Sequence, residues 1–293
     1  MKTMEDNKTL TAFALLLSLG FFAMVISREV GVDGASAPSR TVRTIENIDV
    51  EAKSAYIYDI RTERVIFAKD GERPMPLASL SKLMSALVAE DIYYDYGTVT
   101  ISLEALSSLG DSGLKLGERW RLRDLLDFSL ITSSNDGIRA VALTLGGTDF
   151  IEAMNRKAHE LNLRDTSFQN ETGLDESDTI AGNYGSAKDV SLLMRHLMEK
   201  YPESLEATKI DVARLVSFDG NSYLAKNTNN LIDEIPGLLA SKTGYTDVAG
   251  GNLAFVFDPE LGRPIVVVIL GSSAEGRFED ARKLLQATMK YIQ

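Results

Sequence analysis

A chain of 293 residues, 44% apolar and 25% charged, can bury one substantial core, or a core with a subdomain attached. Its net charge of −11 lacks the basic footprint that a nucleic-acid backbone requires, so no nucleic-acid partner is expected. Cysteine is absent, which excludes disulfides, thiolate metal sites and a catalytic thiol. The two histidines, His159 and His196, have no metal-ligand spacing, so no metal and no cofactor is expected.

The chain opens with a short stub, 1–9, followed by 18 uncharged residues from Leu10 to Ser27 (LTAFALLLSLGFFAMVIS). That run reaches the lower limit for crossing a bilayer. It is a transmembrane anchor or a signal peptide, and either would export the remainder of the chain. Residues 28–50 carry Gly, Ala, Ser and Pro without apolar period and are expected to be a linker. Alternating strands are predicted at Ser54–Ile60 and Arg64–Ala68, joined as a hairpin. Pro74 and Pro76 then precede an apolar, helix-spaced run, Leu77–Ile92. The middle, about 103–210, has helical period, clearest at Leu122–Thr132, Gly137–Leu145, Asp149–Leu161 and Ala187–Lys200. Strand-like runs return at Leu239–Tyr245, Asn252–Phe257 and Ile265–Leu270, and a helical tail, Phe278–Ile292, closes the chain. The expected fold is α/β (α+β): one antiparallel sheet built from both ends of a domain spanning 51–293, flanked by helices, with a helical subdomain between.

Three short strings carry chemistry. Ser79-Leu80-Ser81-Lys82 opens the apolar helix after the prolines, which puts serine and lysine on one face a turn apart. A serine hydroxyl is a poor nucleophile until a base takes its proton, and a lysine serves if burial and nearby cations leave it neutral. A second copy of the pattern, Ser112-Gly113-Leu114-Lys115, lies in a glycine-rich stretch with no apolar helix and reads as a loop. Ser133-Ser134-Asn135 falls between two helical runs, where an ordinary helix cap is the favoured reading of the string taken alone. Lys242-Thr243-Gly244 puts a cation and a hydroxyl on a strand, with a glycine that lets a substrate backbone come close. A gatekeeper lysine on a solvent-facing edge is the plain alternative.

Together and in this order the three resemble the motif set of the penicillin-binding proteins and serine β-lactamases. The runs RPMPLASLSKLMSALVAE, GLKLGERWRLRDLLDFSLITSSND, SKTGYTDVAGGNL and LNLRDTSFQNETGLD are similar to the low-molecular-mass D-alanyl-D-alanine carboxypeptidases, over about residues 50–292. The resemblance implies an acyl-enzyme on Ser79 with Lys82 as its base, and Ser133 as proton relay to the leaving D-alanine. Asn135 would hold the substrate amide, Lys242 would tune the field, and Thr243 would bind the terminal carboxylate. Gly244 and Tyr245 would border the substrate, with the N–H groups of Ser79 and Tyr245 as oxyanion hole. Arg277 stands where the family carries a second carboxylate-binding group. The implied partners are a peptidoglycan stem peptide ending in D-Ala-D-Ala, β-lactam antibiotics as inhibitors, and the membrane through the N-terminal segment. The implied place is the outer face of the cytoplasmic membrane, in the cell envelope.

The chain departs from the family pattern at Ser134, where glycine is usual, and at Ala240-Ser241, where Gly-Ile is common. The β-rich C-terminal domain of several relatives is not expected after the helical tail. A class A-like β-lactamase would need a glutamate at position 158, where alanine stands, although Glu160-Leu161-Asn162 superficially fits. A non-catalytic cell-wall binding protein would have no use for a complete set of nucleophile and base. Endopeptidase action on cross-links is chemically adjacent.

Overall fold

The computed structural model of the protein describes residues 44–92 and 97–293. The stub 1–9, the segment 10–27 and the first part of the linker lie outside these residues. Among the described residues no helix is long and apolar enough to cross a membrane.

The core is a five-stranded antiparallel sheet assembled from the two ends of the domain. From the first end come β1 (Ser54–Asp59) and β2 (Arg64–Lys69). The other end supplies β5 (Leu238–Thr246), β6 (Gly250–Phe257) and β7 (Ile265–Ser272). The spatial order is β5-β6-β7-β1-β2, so β5 is an edge. The central strand β7 (IVVVILGS) is buried along its whole length, because both sheet faces are covered. On one face Ile57, Phe255 and Ile269 meet Phe278, Ala281 and Leu284 of the C-terminal helix α6 (Gly276–Ile292). On the other, Tyr56, Val268 and Leu270 join the larger core with α1 (Lys82–Ile92) and α5 (Ala187–Lys200). This is the period-2 division of a strand between two faces.

Along the chain, between the segments that form the two halves of the sheet, come α2 (Leu122–Thr132), α3 (Asn135–Leu145) and α4 (Thr148–Glu160). Several features depart from the expected elements, among them short strands such as Arg119–Arg121 and Asn183–Gly185 within the middle region, and two are larger. The linker expected over 28–50 is already docked from residue 44. Ile45 N–H donates to Ile66 O at 2.8 Å, Val50 is buried, and Ile45 and Ile48 pack on the α6 side of the sheet. Three apolar residues scattered through seven give no period, but they suffice to hold a strap against an apolar face. A hairpin, β3 (Val212–Val216) and β4 (Ser222–Lys226), also stands where no strand was expected. Its strands are too short, and its exposed face too apolar, for a clear alternation.

Candidate active site

Ser79 lies in a 3-10 turn, Ala78–Ser81, that runs directly into α1 at Lys82, in place of the single helix expected from Leu77. In a 3-10 turn residues three apart eclipse one another, so the serine and lysine side chains are stacked. Leu80, Leu83 and Met84 seat the turn in the core, and Lys82 itself is 0% exposed. Its Nζ lies 2.9 Å from Ser79 Oγ, 2.7 Å from Asn135 Oδ1 and 2.7 Å from the main-chain oxygen of Thr172. Burial lowers the Lys82 pKa to about 7, against the raising influence of Glu171 and Asp136. A neutral amine keeps two protons and one lone pair. Asn135 Oδ1 and Thr172 O can only accept, so they take the two protons and turn the lone pair toward Ser79 Oγ.

The second string joins α2 to α3. Ser133 caps the end of α2 at φ 63 and ψ 30, a left-handed conformation that costs a non-glycine residue about 1 kcal/mol or more. That turn points its Oγ to Lys242 Nζ at 2.9 Å. Ser134, where the family usually has glycine, is the N-cap of α3: its Oγ accepts from Gly137 N–H at 2.9 Å and bonds to Asp136. Such a cap contributes about 1 kcal/mol, so the cap alternative holds for Ser134 alone. Asn135, first in α3, gives its amide N–H to Leu109 O at 2.7 Å while its oxygen faces Lys82.

The third string lies on the edge strand β5. Lys242 is buried, and its Nζ also donates to Thr243 O at 2.8 Å. Burial, then the positive charges of Lys82 and Arg277, hold its pKa well below the usual lysine range. A solvent-facing gatekeeper would be neither buried nor so perturbed. Thr243 Oγ1 pairs with Thr228 Oγ1 at 2.6 Å. Gly244 has a use the sequence did not suggest. A Cβ there would lie 3.1 Å from Ala78 Cβ, Leu77 O and Ser79 N, so the glycine lets the strand close on the Ala78–Ser81 turn. Tyr245 is 52% exposed.

Arg277, in the first turn of α6, donates from Nη1 to Gly244 O at 2.7 Å and stacks its guanidinium 4.7 Å from the ring centre of Phe278. Its neighbours are committed elsewhere: Glu279 bonds to Arg282, and Asp280 accepts from Glu51 N–H, Ala52 N–H and Ser272 Oγ. Burial lowers its pKa, and Nε is buried without a partner.

Thr172 O, Thr228, Asp136 and Glu171 were not among the expected site residues. A main-chain carbonyl leaves no mark on a sequence, and the others acquire meaning only through what folds against them. Glu160, which a β-lactamase reading would enlist, is exposed and bonded to Lys157, and Ala158 is buried within α4. His159 is on the exposed side of the same helix, and His196 is half-buried in α5.

Comparison with known proteins agrees with this geometry. The D-alanyl-D-alanine carboxypeptidase DacF of Bacillus subtilis is 32% identical over 244 residues, 80% of this chain and 61% of that protein. The chain thus spans about three fifths of that relative's length. The crystal structure of a D-alanyl-D-alanine carboxypeptidase from Mycobacterium tuberculosis is 27% identical, with a TM-score of 0.76 over 84% of this chain and 94% of the other. Penicillin-binding protein D2 of Listeria monocytogenes, solved in its cefotaxime-bound form, is 28% identical with a TM-score of 0.71, covering 84% of this chain and 100% of that one. The family profile described as D-alanyl-D-alanine carboxypeptidase matches residues 40–274, through all three strings and the loop that carries Thr172. A match of that extent, spanning the turn that carries Ser79 and Lys82 and the edge strand packed against it, makes the chain a member of the D-alanyl-D-alanine carboxypeptidase family.

Proposed function

We propose that the protein is a serine-type D-alanyl-D-alanine carboxypeptidase that removes the terminal D-alanine from peptidoglycan stem peptides. Ser79 Oγ attacks the carbonyl carbon of the penultimate D-alanine as its proton passes to neutral Lys82. The resulting oxyanion is held by the N–H groups of Ser79 and Tyr245. Collapse expels the terminal D-alanine, whose amine receives a proton through Ser133, and water then hydrolyses the ester on Ser79. Asn135 holds the substrate amide, Thr243 and Arg277 hold the terminal carboxylate, and Lys242 supplies positive field between them. The single observation that carries this reading is the wholly buried Lys82 amine, 2.9 Å from Ser79 Oγ, with acceptors for both of its protons already assigned.

β-Lactams imitate the D-Ala-D-Ala terminus and acylate the same serine; the Listeria relative bound to cefotaxime supports that part. The protein acts at the outer face of the cytoplasmic membrane, held there by residues 10–27. Mass spectrometry tests both statements. Incubation with penicillin should add one penicillin mass to the peptide containing Ser79, and the adduct should vanish in Ser79→Ala. An adduct at Ser112, or none, overturns the assignment. The intact protein recovered from membranes should retain residues 1–27, and a mass starting at Arg28 or Pro38 would make the segment a cleaved signal peptide.

A further inference from the structure

The segment 171–173 touches the nucleophile turn and its helix with three successive residues. Glu171 O accepts from Ser85 Oγ at 2.6 Å, and Thr172 O accepts from Lys82 Nζ at 2.7 Å. Gly173, at φ +83, lies so close to Ala78 that a Cβ would stand 1.8 Å from the Ala78 carbonyl oxygen. None of these contacts uses the Glu171 side chain, yet its carboxylate is buried at 2% exposure, which is costly unless it is paired. Both of its oxygens lie 3.3 Å from Arg139 Nη1, and Arg139 Nη2 donates to the exposed Glu104 at 2.8 Å. Arg139 belongs to α3, the helix that begins at Asn135. The ion pair therefore ties the loop bearing one Lys82 acceptor to the helix bearing another.

We propose that Glu171 and Arg139 are positioning residues for Lys82: their ion pair clamps segment 171–173 to α3 and keeps the Thr172 carbonyl on the lysine amine. The inference rests on Lys82 acting as the base toward Ser79. Charge enters through the same geometry. The charged groups that act on Lys82 are Glu171 from the loop, Asp136 from α3 and Lys242 from β5, with Arg139 of α3 paired to Glu171 and Arg277 of α6 acting on Lys242 in turn. Of these, the two carboxylates favour the ammonium form. Deleting the Glu171 charge must then make Lys82 easier to deprotonate, whereas a purely structural brace would leave its titration alone.

The test is the rate of acylation by penicillin against pH, in wild type, Glu171→Gln, Glu171→Asp and Arg139→Lys. In Glu171→Gln the acid limb should move to lower pH by about half a unit to one unit, with the plateau rate reduced several-fold. Glu171→Asp keeps the charge and should restore the position of the limb. Arg139→Lys alters a partly exposed residue and is expected to fold; it keeps the charge but loses the fork between Glu104 and Glu171. It should leave the limb in place and lower the plateau several-fold. An unmoved limb in folded Glu171→Gln, or a wild-type plateau in Arg139→Lys, overturns the inference. Wild-type protein that penicillin does not acylate defeats the underlying reading instead, so the two failures are distinguishable.

Discussion

Ser79-Leu80-Ser81-Lys82 and Ser112-Gly113-Leu114-Lys115 are one pattern in two settings. Lys82 is enclosed by the core, held by three hydrogen-bond partners, and depressed by burial to a pKa of about 7. Lys115 is exposed and gives its Nζ to Asn221 Oδ1 at 2.8 Å, while the Ser112 main chain donates to Asp136 Oδ2 at 3.3 Å. The first serine stands on a 3-10 turn that stacks it over its lysine, and the second lies in an irregular loop. Spacing sets only how far a lysine can reach. Removal from water decides whether it can be a base, since a solvated ammonium keeps its proton at neutral pH.

That contrast breaks most visibly at Lys82. Lys82→Arg should abolish acylation by penicillin, because a guanidinium does not give up its proton at working pH. In wild type the reactive form is the neutral amine, so the acylation rate should rise as pH increases through about 7 and level off above it. Near-wild-type acylation by Lys82→Arg, measured in stopped-flow, would transfer the role of base to another group.

The next effect belongs to Arg277, which is bonded to the edge strand at Gly244. Arg277 is half-buried, its Nε has no partner among the described residues, and a charge-assisted bond to a carboxylate contributes about 1.5–3 kcal/mol. Arg277→Ala should therefore lower kcat/KM on a D-Ala-D-Ala peptide by about tenfold to a hundredfold. A peptide amidated at its C-terminus should show no such dependence. Equal activity of the two proteins on the free-carboxylate peptide would take Arg277 out of substrate binding.

The smallest effect sharpens the comparison from its other side. Ser112→Ala and Lys115→Ala should each leave the acylation rate and the site of the adduct unchanged. A large loss in either would mean that the exposed copy of the pattern takes part in the chemistry.

Much of the fold was legible along the chain because its strongest elements are long and periodic. The helix Ala187–Lys200 was expected with its observed bounds, and the three C-terminal strands were expected one or two residues short at their ends. Weak local signals failed. The strap at 44–50 has too few apolar residues for a period, and the hairpin of β3 and β4 has too little burial for an alternation. The glycine of the third string was expected to admit a substrate backbone, and the backbone found against it is the Ala78–Ser79 turn, which no local pattern announces.

The sequence by itself determined which side chains could do the chemistry and which shared a turn or a strand. Ser79 and Lys82 are three residues apart, and so within reach of each other wherever that segment coils. Tertiary structure alone decided that Lys82 is dry and that Lys242 and Arg277 sit within range of each other's charge. It also placed the oxygen of Thr172, 90 residues away, on the Lys82 amine. The reason is physical. Local spacing is set by backbone geometry, which each segment carries with it, whereas proton affinity depends on solvent exclusion and on charges brought near by packing. No short string encodes its own dielectric.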